Sequence, residues 1–138
     1  MAKIIVVEDD FNLANSYKAK LEEEGFGVKI VGDSEAVATI RAEKPDLILL
    51  DIFMPNVSGL SILRELRSDL EFENLSVLVL TNDAKAGDME QAIALGVDGY
   101  ILKAETDLGG LAARVKSILE NKQANQDSSG GEGVIPNA

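Results

Sequence analysis

Three stretches of the sequence decide the fold: KIIVVE at residues 3–8, DLILLD at residues 46–51 and SVLVLT at residues 76–81. Each contains a continuous run of apolar residues, whereas a strand with one face in water would alternate apolar and polar residues. Continuous runs are typical of parallel strands that are buried on both faces. The shorter stretches VKIV at residues 28–31 and GYILK at residues 99–103 complete a set of five predicted strands.

An amphipathic stretch follows each predicted strand, with apolar residues at helical spacing. Predicted helices run from residue 12 to 24, from a cap at Asp33 or Ser34 to residue 43, from residue 60 onward, from 86 to 95 and from 108 to 121. This alternation predicts an α/β fold, a doubly wound, five-stranded parallel sheet of the (βα)5 type with right-handed connections. The expected strand order is the flavodoxin-like order 2-1-3-4-5.

The length of 138 residues and the 46% share of hydrophobic residues predict one domain. The folded domain is expected to cover residues 1–121. The composition then becomes polar and rich in Gly, Ser and Asn, so residues 122–138 are predicted to form a disordered tail or linker.

The composition excludes several kinds of chemistry from this chain. It contains no Cys and no His, which rules out disulfides, thiolate nucleophiles, imidazole metal sites and Ser-His triads. The net charge of −11 makes direct binding to nucleic acid unexpected. No apolar run approaches membrane-spanning length, so we expect a cytoplasmic protein without membrane contact.

Polar side chains stand at the ends of four predicted strands. In the order of strands one, three, four and five, they are Glu8 with Asp9, Asp51, Thr81 and Lys103. The carboxyl ends of parallel strands share one edge, and the crevice for a ligand lies between strands one and three in this order. Three carboxylates favour a hard cation such as Mg²⁺, and a lysine with a hydroxyl donor suits a phosphoryl group.

A simpler interpretation is that acids at strand ends cap the helices that follow them. Asp10 is expected to have this role at the first helix. One strand-end acid carries little weight, whereas the joint pattern at four strand ends favours a phosphoryl site.

Four segments resemble, in order and spacing, the receiver domain of two-component response regulators. They are VVEDD at residues 6–10, LLDIFMPNVSG at 49–59, VLVLT at 77–81 and GYILK at 99–103. The resemblance covers residues 3–121. It implies a stand-alone receiver that accepts a phosphoryl group from a histidine kinase or a phosphotransfer protein and signals to a protein partner. Such a protein is not an enzyme beyond catalysing its own phosphorylation and dephosphorylation.

The resemblance also implies a role for each strand-end residue. Asp51 would be the phosphoacceptor, with Mg²⁺ held by Glu8, Asp9, Asp51 and the backbone carbonyl of Phe53. Lys103 would pair with a phosphoryl oxygen.

The same resemblance implies a conformational switch. Thr81 would hydrogen-bond the phosphoryl group, and Tyr100 would move inward as Thr81 shifts toward the phosphate. The face made by the fourth helix, fifth strand and fifth helix would then meet a partner or a second copy of the chain.

Three sites depart from the family's usual pattern. Ala104 stands where Pro commonly follows the lysine through a cis bond, so we expect either a trans bond with a shifted loop or a strained cis bond. Asn82 stands where a very small residue is usual. Gly109 and Gly110 predict that the last helix frays at its start or begins after Gly110. The departures at Asn82 and Ala104 leave an alternative function open: a phosphorylation-independent protein-interaction module on the same fold.

Overall fold

The computed structural model describes residues 1–82 and 86–132, without the side chains of residues 86 and 124–132. The strands in this part of the chain are β1 (Lys3–Val7), β2 (Gly27–Val31), β3 (Leu47–Asp51), β4 (Ser76–Thr81) and β5 (Gly99–Leu102). The α-helices are α1 (Phe11–Glu23), α2 (Ala36–Glu43), α3 (Gly59–Arg67), α4 (Ala86–Ala94) and α5 (Leu108–Glu132). Strands and helices alternate along the chain, as the sequence predicts. None of the helices in the described ranges combines the length and apolar composition that a membrane span requires.

The strands form one parallel sheet in the order β2-β1-β3-β4-β5, which confirms the predicted topology. Val7 pairs with Leu50 at the ends of β1 and β3, and Asp51 pairs with Leu80 on β4. This register brings the carboxyl ends of β1, β3 and β4 to nearly the same level. The residues that follow these strands therefore begin at one edge of the sheet.

Two hydrophobic clusters cover the two faces of the sheet. Successive strand residues point to opposite faces, so Ile5 and Val7 belong to one cluster and Ile4 and Val6 to the other. The first cluster packs beneath α2, α3 and α4, and the second packs beneath α1 and α5. Burial on both faces explains why the strands read as continuous apolar runs.

The caps of the first two helices differ from each other. The Asp10 carboxylate accepts a hydrogen bond from the Leu13 amide at 3.1 Å, which confirms Asp10 as the N-cap of α1. The predicted cap of α2 is wrong. Asp33 and Ser34 lie in a single 3₁₀ turn, Asp33–Glu35, and α2 begins after it without a side-chain cap. The Asp33 carboxylate bonds to a different loop, described below.

The last helix begins at Leu108 and includes both glycines in its first turn, so a start after Gly110 is wrong. Asp107 Oδ1 accepts a hydrogen bond from the Gly110 amide at 2.8 Å. This bond supplies a partner for one of the amides that a helix leaves unpaired at its N-terminus, and it offsets part of the cost of Gly109 and Gly110.

The same helix continues to Glu132, where the sequence predicts a disordered tail from residue 122. The helix thus extends past the predicted domain end at residue 121, and a tail or linker beyond that point stays a prediction. Residues 122–129 contain no Gly or Pro, so nothing in them interrupts a helix that has already formed. Lys122 also donates a hydrogen bond to the carbonyl oxygen of Asn74. The prediction for residues 133–138 lies outside the described residues.

Candidate functional site

Glu8, Asp51 and Lys103 meet at the carboxyl edge of the sheet. The Lys103 ammonium lies 2.7 Å from Glu8 Oε1 and 3.0 Å from Asp51 Oδ2. The three side chains are only 3%, 7% and 10% exposed for Glu8, Asp51 and Lys103, respectively. A buried lysine thus bridges two buried carboxylates that come from different strands.

Burial and pairing act in opposite directions on these groups. Burial raises the pKa of Glu8, and the hydrogen bond from Lys103 opposes this rise. Burial alone would lower the pKa of Lys103, but the hydrogen bonds to Glu8 and Asp51 outweigh it, so this pKa is raised. Lys103 therefore remains a fixed positive charge beside Asp51 at neutral pH.

The Asp9 side chain contacts the loop after β2. Its Oδ1 accepts a hydrogen bond from the Asp33 amide at 3.1 Å. Gly32 lies against it, since a Cβ on Gly32 would stand 3.3 Å from the same oxygen. The other oxygen, Asp9 Oδ2, is buried and has no hydrogen-bond partner among the described residues. Burial, with the nearby charge of Asp33, raises the pKa of Asp9.

Asp33 is a site neighbour that the sequence analysis missed. Its side chain accepts hydrogen bonds from the amides of Asn56 at 2.8 Å and Val57 at 2.9 Å, in the loop between β3 and α3. The bond from the Val57 amide is the main reason that the pKa of Asp33 is lowered, although burial opposes it. A usable signal exists in the sequence, because Asp33 is also an acid just beyond a strand end.

The loop after Asp51 is held close to the strand that precedes it. The Phe53 amide donates to Asp51 Oδ1 at 3.1 Å, and the Gly59 amide donates to the Ile52 carbonyl oxygen at 2.9 Å. A Cβ on Gly59 would overlap the Asp51 carbonyl oxygen and lie 2.7 Å from Ile52 Cα. Only glycine lets α3 start this close to the acceptor strand.

The remaining predicted residues lie on the β4–β5 side. Thr81 is fully buried at the end of β4 and pairs with Leu102, next to Lys103. Tyr100 is 43% exposed on β5, so its side chain is partly in solvent. Asn82 is exposed directly after Thr81.

The peptide bond after Lys103 was expected to be either trans or a strained cis bond. The Lys103–Ala104 peptide bond is trans, and Lys103–Glu105 forms a 3₁₀ turn.

The side chains at this site have the chemistry that a hard cation needs. Their present arrangement, however, does not surround one ion position. Glu8, Asp9 and Asp51 offer carboxylate oxygens, and the unpartnered, buried Asp9 Oδ2 is an oxygen that a cation would satisfy. Within residues 1–82 and 86–132, however, no three His, Cys, Asp or Glu side chains are grouped as a metal site. Lys103 bridges Glu8 and Asp51, so these two carboxylates would have to turn to share one ion with the unpartnered oxygen of Asp9.

A model of the response regulator receiver domain family matches residues 4–116. The phosphate regulon transcriptional regulatory protein PhoB of Rhizobium meliloti is 37% identical over 120 residues, which cover 86% of this chain and 52% of that protein. The DNA-binding response regulator MtrA of Mycolicibacterium smegmatis is 33% identical over 122 residues, 88% of this chain and 52% of its own. This chain thus spans about half the length of these curated relatives. That the receiver is a stand-alone protein stays a prediction.

Solved structures share the fold. A CheY-like response regulator receiver domain protein from Methanospirillum hungatei superposes with a TM-score of 0.83 at 27% identity, covering 91% of this chain and 98% of that one.

Proposed function

The chain belongs to the response regulator receiver domain family, whose members are phosphorylation-accepting modules of two-component signalling, and from that premise we propose that Asp51 is its phosphoacceptor. One observation carries the proposal: the Lys103 ammonium lies 3.0 Å from Asp51 Oδ2 in a buried site. A positive charge this close to Asp51 would offset the negative oxygens of a phosphoryl group carried by that residue.

The proposed donor is a phosphohistidine on a histidine kinase or a phosphotransfer protein. A carboxylate oxygen of Asp51 attacks the phosphorus, the P–N bond breaks, and its electron pair leaves with the imidazole. Lys103 offsets the charge on the transferred oxygens, so positioning and electrostatics supply most of the acceleration.

Receiver domains generally bind Mg²⁺ at their acidic pocket, and we assign this role to Glu8, Asp9, Asp51 and the backbone carbonyl of Phe53. Bound there, the ion would offset the repulsion between the acceptor carboxylate and the phosphoryl oxygens. The buried Asp9 Oδ2, which has no partner among the described residues, supports the assignment.

Thr81 and Tyr100 are proposed to carry the signal away from Asp51. An aspartyl phosphate replaces one carboxylate charge with about −1.5 to −2, and the Thr81 hydroxyl would turn toward it. Tyr100 is half-exposed, and its side chain would move inward as Thr81 shifts. A change in the tyrosine resonances on phosphorylation, lost in Thr81→Val, would support this route.

The output surface is proposed to be the face of α4, β5 and α5. Each of these elements exposes one large apolar side chain: Ile93, Tyr100 and Leu108. A downstream protein or a second copy of the chain would cover this face after phosphorylation. Sedimentation with and without a phosphodonor, on wild type and Ile93→Arg, tests for the second copy.

The decisive experiment is intact-mass measurement after incubation with acetyl phosphate and Mg²⁺. The wild type is expected to gain one phosphoryl group, which maps to Asp51 and is absent from Asp51→Ala. Asp46→Ala is the matched control, because Asp46 is an exposed acid at the opposite edge of the sheet, where it accepts from the Lys3 amide at 2.7 Å. A wild type that stays unmodified would favour the phosphorylation-independent interaction module, which the departures at Asn82 and Ala104 suggest.

A further inference from the structure

We propose that Asp33 is a positioning residue for the phosphoacceptor site, where it fixes Asp9 and the loop after Asp51 relative to each other. The inference rests on the proposed Mg²⁺-dependent phosphorylation of Asp51. Asp33 itself touches neither the phosphoryl group nor the ion in this account.

The first half of the link is the backbone of Asp33. Its amide donates to Asp9 Oδ1 at 3.1 Å. The adjacent Gly32 leaves room for that oxygen, because even a Cβ there would come within 3.3 Å of it. One oxygen of Asp9 is thereby fixed, and the other is left buried and without a partner among the described residues. A carboxylate held in this way keeps one oxygen available for an ion.

The second half of the link is the side chain of Asp33. Its Oδ2 accepts from the amides of Asn56 at 2.8 Å and Val57 at 2.9 Å, and its Oδ1 accepts from the Ser34 hydroxyl at 3.3 Å. Asp33 is buried, with only 5% of the residue exposed. Two amides on one buried carboxylate oxygen make a strong, directional attachment.

The segment that Asp33 holds also carries a proposed metal ligand. The carbonyl of Phe53 lies three residues before Asn56 in the same irregular loop, between β3 and α3. One residue therefore links the loop that carries Phe53 to the side chain of Asp9. Partners of this kind behind metal ligands commonly change metal affinity by about 10–100-fold when they are removed.

Asp33 also brings a negative charge close to the site, so charge and positioning must be separated. Asp33→Ala removes both. Asp33→Asn removes the charge, but its amide oxygen still accepts from the two loop amides, and the Ser34 hydroxyl can reverse to accept from the new NH₂ group. Asp98→Ala is the matched control. Asp98 Oδ2 accepts from the Val77 amide at 2.8 Å at the start of β4, away from the proposed site.

The experiment measures the Mg²⁺ concentration that half-saturates the rate of Asp51 labelling by acetyl phosphate, at a temperature where circular dichroism shows every variant folded. We expect about a tenfold or greater increase in this concentration for Asp33→Ala, recovery of most of the loss in Asp33→Asn, and the wild-type value in Asp98→Ala. Calorimetric titration with Mg²⁺ alone should rank the Mg²⁺ affinities of the variants in the same order.

The outcomes separate the two proposals. A wild type that is neither labelled nor bound by Mg²⁺ overturns the proposed function. A labelled, Mg²⁺-dependent wild type with an unchanged Asp33→Ala overturns only the positioning role. Equal losses of Mg²⁺ affinity in Asp33→Ala and Asp33→Asn would assign the effect to the charge of Asp33. That result would also overturn the positioning role. If Asp33→Ala does not fold, Asp33→Asn must still keep near-wild-type Mg²⁺ dependence, and a loss there overturns the role.

Discussion

The Lys103 ammonium lies 2.7 Å from Glu8 Oε1, although these residues are 95 positions apart in the chain. Their strands are not neighbours, because β3 and β4 separate β1 from β5 in the sheet. The lysine side chain therefore reaches along the carboxyl edge past the end of β3, where it also meets Asp51 at 3.0 Å. One cation holds together acids from two strands.

Replacing this lysine should destabilise the domain in a way that Mg²⁺ reverses. Lys103→Met leaves Glu8 and Asp51 buried without their cation, and breaking a buried pair in this way costs about 3 kcal/mol. A metal ion between the carboxylates would take over the lysine's role and stabilise the folded state by binding to it. Urea unfolding without Mg²⁺ should show the loss, and saturating Mg²⁺ should remove most of it.

The control for this prediction is Lys116→Met. Lys116 is half-exposed and pairs with Glu24 on the surface, where ion pairs contribute little. We expect a small change in the free energy of unfolding that is the same with and without Mg²⁺. If Mg²⁺ does not reduce the loss of unfolding free energy in Lys103→Met, then the ion does not bind between the carboxylates that Lys103 bridges.

The convergence of Glu8, Asp51 and Lys103 was predictable because the apolar runs determine it. A strand buried on both faces has a recognisable length, so its last residue can be located in the sequence. Parallel order then brings all last residues to one edge, whatever the loops do. The geometry of this group follows from topology.

The orientation of Asp9 was not predictable by the same reasoning. It depends on the path of the turn at Gly32 and Asp33, which strand periodicity does not describe. The predicted cap at Asp33 was wrong for a related reason, because Asn56 and Val57 compete for the same carboxylate and both lie far away in sequence. Long-range hydrogen bonds of this kind override local capping preferences.

Gly59→Ala should destabilise the fold and disturb the acceptor. Its Cβ would overlap the Asp51 carbonyl oxygen, and the atoms it meets are backbone atoms of Asp51 and Ile52, which have little freedom to move. Overpacking of this kind costs about 1–3 kcal/mol. Thermal unfolding should show a lower midpoint, and labelling of Asp51 should slow at a temperature where the variant is folded.

Gly87→Ala is the matched control, and we expect it to have the opposite effect on stability. Apart from its chain neighbours and the backbone of its own helix, no described residue lies within 4 Å of a Cβ on Gly87, which is in the first turn of α4. Alanine in a helix is favoured over glycine by about 0.5–1 kcal/mol, so this variant should be as stable as the wild type or more so. Equal destabilisation at both glycines would show that close approach at Gly59 is not the cause.

Asn82→Ala should be labelled faster by acetyl phosphate than the wild type. Asn82 is exposed immediately after the buried Thr81 at the carboxyl edge of the sheet, so we expect its amide to crowd the approach to Asp51. A smaller side chain would open that approach without changing the charge. Labelling rates at saturating Mg²⁺ test this, with Asn121→Ala, an exposed position on α5, as the control. Equal rates for wild type and Asn82→Ala would remove the steric explanation.

Arg67 at the end of α3 should be the main attachment of the carboxyl end of α4. Its guanidinium donates to the carbonyl oxygens of Leu95 at 2.7 Å, Phe72 at 2.9 Å and Gly96 at 3.0 Å. Helix ends leave carbonyls such as those of Leu95 and Gly96 unpaired. A planar, five-donor fork can reach these two and the Phe72 carbonyl in the turn after α3, where an ammonium cannot reach all three. Arg67→Ala should therefore cost about 2–3 kcal/mol of unfolding free energy, and Arg67→Lys should recover little of it.

Arg64 offers the comparison on the same helix, because it is exposed and donates to Gln91 Oε1 at 3.2 Å. Arg64→Ala should change the unfolding free energy by less than about 0.5 kcal/mol, as is usual for a surface substitution. Hydrogen exchange should locate the effect: the Arg67→Ala variant should lose protection at the carboxyl end of α4 before the strands lose theirs. If protection falls uniformly across the domain instead, Arg67 supports the whole core and not α4 in particular, and α4 must then be held by its apolar face, where Met89 and Ala92 pack against the sheet.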